Sequence, residues 1–111
     1  MFRSSHEAEV VPAGHVLFRD GERGEIMFAI ADGQVELTHG GAVIEKIGSG
    51  GILGEMALVD DAPRSATATA ATETRVVRVD REHFMYLVQE HPTFALQVMS
   101  VMAERLRKAN H

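Results

Sequence analysis

The chemistry in this chain is concentrated between Gly54 and Thr67, which reads Gly-Glu-Met-Ala-Leu-Val-Asp-Asp-Ala-Pro-Arg-Ser-Ala-Thr. Gly54 lets the backbone come close to a neighbouring group, because it carries no Cβ. Met56-Ala57-Leu58 predicts a short helical turn, and the free N–H groups that open such a turn favour an anion. Pro63 stiffens the return, and Arg64 brings a permanent, forked charge suited to phosphate oxygens. Glu55 is a poor neighbour for a phosphate unless its carboxylate accepts a hydroxyl proton from another part of the same ligand. A glutamate for a sugar hydroxyl, an arginine with amides for a phosphate, and apolar strands beside them together describe a pocket for a ribose phosphate.

Each of these residues also has an ordinary role. An isolated Arg64 would pair on the surface with Asp60 or Asp61, and an isolated Glu55 would be solvated. Other chemistries find less support. Gly48-Ser49-Gly50-Gly51 suggests a dinucleotide loop, but the G-x-G-x-x-G pattern fails at Leu53 and no long helix follows. Among the six histidines there is no His-x-His pair, and His15, His39 and His83 fall in unrelated elements, so a cupin-like metal barrel is not expected. Asp60 and Asp61 diverge as neighbours on a loop, with no nucleophile near them, and no Ser-His-Asp grouping is legible. The absence of cysteine removes disulfides, thiolate metal sites and thiol catalysis. The reading is a binding protein, not an enzyme, with no metal and no cofactor.

The elements that must position these groups follow from composition. All ten glycines lie between Gly14 and Gly54, among short apolar runs: Val16-Leu17-Phe18, Ile26–Ile30, Val35-Glu36-Leu37, Val43-Ile44 and Ile47. Asp20-Gly21 and Asp32-Gly33, each flanked by such runs, predict hairpins, because a primed turn needs the positive φ that glycine adopts cheaply. Ala66–Ala70 alternates with period two, and Val76-Val77-Arg78-Val79 is β-branched. Seven or so short strands in this space predict an antiparallel sandwich or barrel, since parallel pairing needs crossover helices. Behind them, Asp80 is a candidate N-cap for a helix carrying Phe84, Leu87 and Val88, and Pro92 opens a second helix. On that second helix Ala95, Val98, Met99, Met102 and Leu106 form one apolar stripe. The expectation is one α+β domain over residues 1–111, with strands over about 8–80 and trailing helices over about 81–109.

A net charge of −5 over 111 residues argues against a general grip on nucleic acid. No apolar run approaches the ~20 residues of a membrane span, and Met1–Glu7 lacks the apolar core of a signal peptide. A cytoplasmic location is therefore expected.

Gly-Glu-x-Ala-Leu, a short spacer and Arg-Ser-Ala-Thr resemble the phosphate-binding cassette of the cyclic nucleotide-binding domain family. The likeness covers nearly the whole chain: Asp20–Val35 resembles the family's paired-glycine hairpin, Gly50 precedes the cassette where the family has a glycine, and the helix at Pro92 sits where its closing helix begins. The resemblance implies an antiparallel β-roll, jelly-roll-like (a double-stranded β-helix), with C-terminal helices. It implies that Glu55 accepts the ribose 2′-hydroxyl and that Arg64 pairs with a phosphate oxygen. Ser65 and the amides around Gly54, Met56 and Ala57 would complete the phosphate shell, and Ile44 and Ile47 would line the base side. Leu53 stands where the family usually has an aromatic residue, and Gly51 where an acid is common; both bear on packing and loop stiffness. In the family a threonine after the cassette arginine tends to accompany cGMP preference, so Ser65 leans toward cAMP without excluding cGMP. The closing helix runs out at Asn110-His111, leaving the base lid partial or supplied by another chain, with Arg105 a candidate partner for Glu55. The implied function is a cyclic nucleotide sensor acting on an effector outside this chain, through its last helix or as a homodimer. Two alternatives stay open: a family member that has lost its ligand and serves as a protein-interaction module, and the sensory half of a transcription regulator.

Overall fold

The structure, a computed structural model, describes residues 8–60 and 62–109. Eight strands, β1 (Glu9–Val11), β2 (Val16–Phe18), β3 (Met27–Asp32), β4 (Val35–His39), β5 (Ala42–Ile47), β6 (Ile52–Leu53), β7 (Thr67–Ala70) and β8 (Thr74–Val79), form two antiparallel sheets of four. Their orders are β1-β8-β3-β6 and β2-β7-β4-β5. A short helix α1 (Met56–Val59) interrupts the strands, and α2 (Arg81–Glu90) and α3 (Pro92–Ala109) follow them. This is a jelly-roll-like β-roll with C-terminal helices.

The two Asp-Gly signals do not make hairpins. β2 and β3 lie in different sheets, as do β3 and β4, and the hairpin between consecutive strands is β4–β5. Gly33 has φ +102°, and a Cβ there would come within 2.6 Å of Thr74 Oγ1 and 2.7 Å of the Glu73 carbonyl. The glycine is required because the chain turns a corner from one sheet to the other against the β7–β8 turn. A positive φ at Asp-Gly therefore identifies a sharp turn, and which sheet each flanking strand joins is decided by long-range pairing.

β3 is buried on both faces, which explains its unbroken apolar run. Phe28 and Ile30 point into the roll with Val35, Leu37, Leu53, Ala68 and Val76. Met27 and Ala29 point the other way, with Ile52, Val77 and Val79, onto Leu58 of α1, Leu87 of α2 and Phe94 and Val98 of α3. Asp80 caps α2, its carboxylate accepting from the His83 amide at 2.8 Å. The stripe expected on α3 is divided: Val98 is buried and Met102 packs against the core, whereas Met99 and Leu106 are exposed. The inward face is rotated so that Phe94, outside the expected stripe, becomes its deepest residue. β1 and β6 lie outside the apolar runs read as strands; β6, two residues long, shows no period and is held by pairing with Phe28 and Ala29 of β3.

Candidate functional site

The segment from Gly54 to Ala66 leaves one sheet at β6 and joins the other at β7, so it closes an end of the roll. Beneath it lies a cavity of about 290 Å³ walled by Phe18, Leu37, the Gly54–Ala57 turn, Asp60, residues 62–66 and Arg105. Ala66, just before β7, is buried on this wall, and its small side chain leaves room beside Arg64. Gly54, Glu55, Met56, Ala57, Arg64 and Ser65 are thus brought together on one cavity.

Arg64 is only 8% exposed. Its backbone is pinned to the β2–β3 loop, the amide donating to the Glu22 carbonyl and the carbonyl accepting from the Gly21 amide, both at 2.8 Å. Its guanidinium donates to the Ile26 carbonyl at 2.6 Å and the Gly54 carbonyl at 3.2 Å, and lies 4.2 Å over the Phe18 ring. Nε is buried without a hydrogen-bond partner among the described residues. Burial pushes this guanidinium below the usual arginine range, against the pull of Glu22 and Glu55. The surface pair with Asp60 is not formed: Asp60 Oδ1 accepts from the Ala62 amide at 3.1 Å, and Asp61 lies outside the described residues. Gly24 makes room for the charge, since a Cβ there would sit 2.6 Å from Nη2. Phe18 and Gly24 carry no local signal of this role; only the folded chain brings them under Arg64.

Glu55 is 1% exposed, an unusual burial for a carboxylate, and needs a partner. That partner is Arg105 on α3, whose Nη1 donates to Glu55 Oε1. The same guanidinium donates through Nε and Nη2 to Glu45 at 3.2 and 3.3 Å, and through Nη2 to the Ile52 carbonyl at 3.1 Å. Burial alone would lower the Arg105 pKa, but the two carboxylates outweigh it and hold it above the usual value. No other hydrogen bond to Glu55 is present among the described residues, so Oε2 stays available.

The α1 turn forms as expected, with Met56 half-exposed and Ala57 buried. The Ala57 amide is not free in this structure; it donates to the Gly54 carbonyl at 3.2 Å. Ser65 is exposed at the cavity rim.

Ile44 and Ile47 do not line the cavity. Thr38 pairs with Val43 and Leu37 with Glu45, which leaves Ile44 as the extra residue of a β-bulge. Three residues apart on one strand, the two face opposite ways: Ile44 is 57% exposed, while Ile47 is 6% exposed in the core, its methyl packed on Gly51. Leu37 stands on the cavity wall in their place. Among the described residues no group of three His, Asp or Glu side chains could hold a metal ion, and no helix is long and apolar enough to cross a membrane.

Comparison with known proteins agrees with this geometry. The family description "cyclic nucleotide-binding domain" matches residues 8–91. The chain is 32% identical over 112 residues to the cyclic AMP receptor protein of Thermus thermophilus, an alignment covering 96% of this chain and 52% of that protein. It is 38% identical over 96 residues to a cyclic nucleotide-gated potassium channel of Rhizobium etli, covering 86% of this chain and 27% of the channel. The crystal structure of the Thermus thermophilus catabolite activator protein superposes with a TM-score of 0.80 at 33% identity, over 93% of this chain and 51% of that one. The chain spans about half the length of the receptor it matches.

Proposed function

The chain belongs to the cyclic nucleotide-binding domain family, and on that premise we propose that its cavity takes a 3′,5′-cyclic nucleotide monoanion, cAMP ahead of cGMP. One observation carries the reading: a buried guanidinium with an unpartnered Nε lines a cavity that also holds a buried carboxylate with an uncommitted oxygen. A buried donor left without an acceptor is costly, and a phosphate oxygen supplies the acceptor. Arg64 neutralises the single phosphate charge, Ser65 at the rim adds a hydroxyl donor, and Glu55 Oε2 accepts from the ribose 2′-hydroxyl. The serine after Arg64, where a threonine accompanies cGMP preference, supports cAMP as the favoured base.

The protein acts as a sensor, not an enzyme, and the output passes through α3. Arg105 ties that helix to the sugar-binding carboxylate, and its outer face exposes Leu96, Met99 and Leu106 to a second copy or an effector. Resemblance to a receptor protein on one side and a channel on the other fits a sensing module whose effector lies elsewhere.

A thermal-shift series with cAMP, cGMP and cyclic dinucleotides tests the reading. A ligand present at about 100 times its Kd stabilises the folded state by about 2.7 kcal/mol, so cAMP should raise the melting midpoint by about 10 °C and cGMP by less. No shift with either mononucleotide would remove the proposal and favour a protein-interaction module.

A further inference from the structure

Glu45 lies on β5, outside the cavity wall, yet it makes the most complete contact in the site. Both of its oxygens accept from Arg105, at 3.2 Å from Nε and 3.3 Å from Nη2. A forked arginine–carboxylate pair fixes the plane of the guanidinium as well as its position. With that plane set, Nη1 can reach one oxygen of Glu55 and not the other, which leaves Oε2 for a ligand. Glu45 is aimed by the unbroken register of β5, two residues from the buried Ile47. It is paired with Leu37, and residues paired directly across an antiparallel ladder share a face, so Glu45 sits on the Leu37 side of the sheet. The alternation that buries Ile47 turns this acid toward α3, and the bulge lies beyond it, at Ile44.

We propose that Glu45 is a positioning residue for sugar recognition: through Arg105 it orients the Glu55 carboxylate so that one oxygen faces the ribose 2′-hydroxyl. The inference rests on the cyclic nucleotide reading above. It separates Glu45 from a residue that merely fastens α3, because a fastening role affects every ligand alike, whereas an orienting role affects only ligands that carry a 2′-hydroxyl.

The test is calorimetric titration of the protein and its Glu45→Gln variant with cAMP and with 2′-deoxy-cAMP. The unsubstituted protein should prefer cAMP by about tenfold, the value of one hydrogen bond to a charged group. In Glu45→Gln that preference should fall to about twofold, with 2′-deoxy-cAMP affinity nearly unchanged. Glu45→Asp serves for the same comparison if the glutamine variant lacks a cooperative melt. Equal weakening toward both ligands, or an unaltered preference, would overturn the orienting role. A protein that binds neither nucleotide would overturn the nucleotide reading itself, and this inference with it.

Discussion

Gly54 and Arg64 occupy each other's space. The Gly54 carbonyl accepts from Arg64 Nη1 at 3.2 Å, and a Cβ on Gly54 would stand 2.7 Å from that same nitrogen. The same carbonyl accepts from the Ala57 amide, so one peptide unit holds both the guanidinium and the first turn of α1. The charge that would meet a phosphate is thereby tied to the backbone that would surround it.

Gly24→Ala tests the space around that charge separately from backbone strain. Gly24 does not have a positive φ, whereas Gly54 is at +75°. The added methyl meets the end of the Arg64 side chain, which can move, so folding should change by less than about 1 kcal/mol. The guanidinium is displaced, however, and cAMP affinity should fall by at least about fivefold. Chemical denaturation and calorimetry on one variant separate the two effects; parent-like affinity would show that Arg64 needs no cradle.

Arg64→Ala should lower cyclic nucleotide affinity by at least about tenfold, since truncating a desolvated charge partner costs ~2–4 kcal/mol. Without ligand the melting curve should move little. The variant loses two hydrogen bonds to carbonyls and the packing on Phe18, but it also loses the cost of burying the guanidinium. A variant that binds normally would place the anion elsewhere.

The pH dependence follows from the two arginines. Arg105 is raised in the folded state, so its stabilising contribution is fully present below the ordinary arginine value and is lost only as pH climbs through the raised one. Arg64 is lowered, so its burial opposes folding while it is charged, and that opposition is relieved only as pH rises through the lowered value. Both windows are alkaline. Affinity for cAMP should therefore be flat between about pH 6 and 9, and a steep change there would require a group other than these two.

Ser65→Thr examines base choice. The residue is exposed at the rim, where an added methyl has room and the hydroxyl is kept. The ratio of cGMP to cAMP affinity should rise by about threefold or more, the value of a modest added hydrogen bond. Competition titrations measure this ratio directly; an unchanged ratio would assign base selection to the closing helix.

The amino-acid sequence by itself determined the local features: the Gly54–Thr67 cassette, the α1 turn, the Asp80 cap and the strand-then-helix order. Each rests on a few adjacent residues whose backbone preferences act over one turn or one strand. It also carried the family resemblance, because Glu55, Arg64 and Ser65 stand at fixed spacing within one segment. The tertiary structure alone decided which sheet each strand joins across Asp20-Gly21 and Asp32-Gly33, since a turn signal says nothing about the distant strand that supplies hydrogen bonds. It decided that Glu45 meets Arg105 and that Thr38 pairs with Val43 past Ile44, because the register against β4 and the partner on α3 leave no mark in composition. And it put Phe18 and Gly24 under Arg64 and joined Glu45 to Arg105, contacts between elements far apart in the chain that form only when two sheets and a helix pack together.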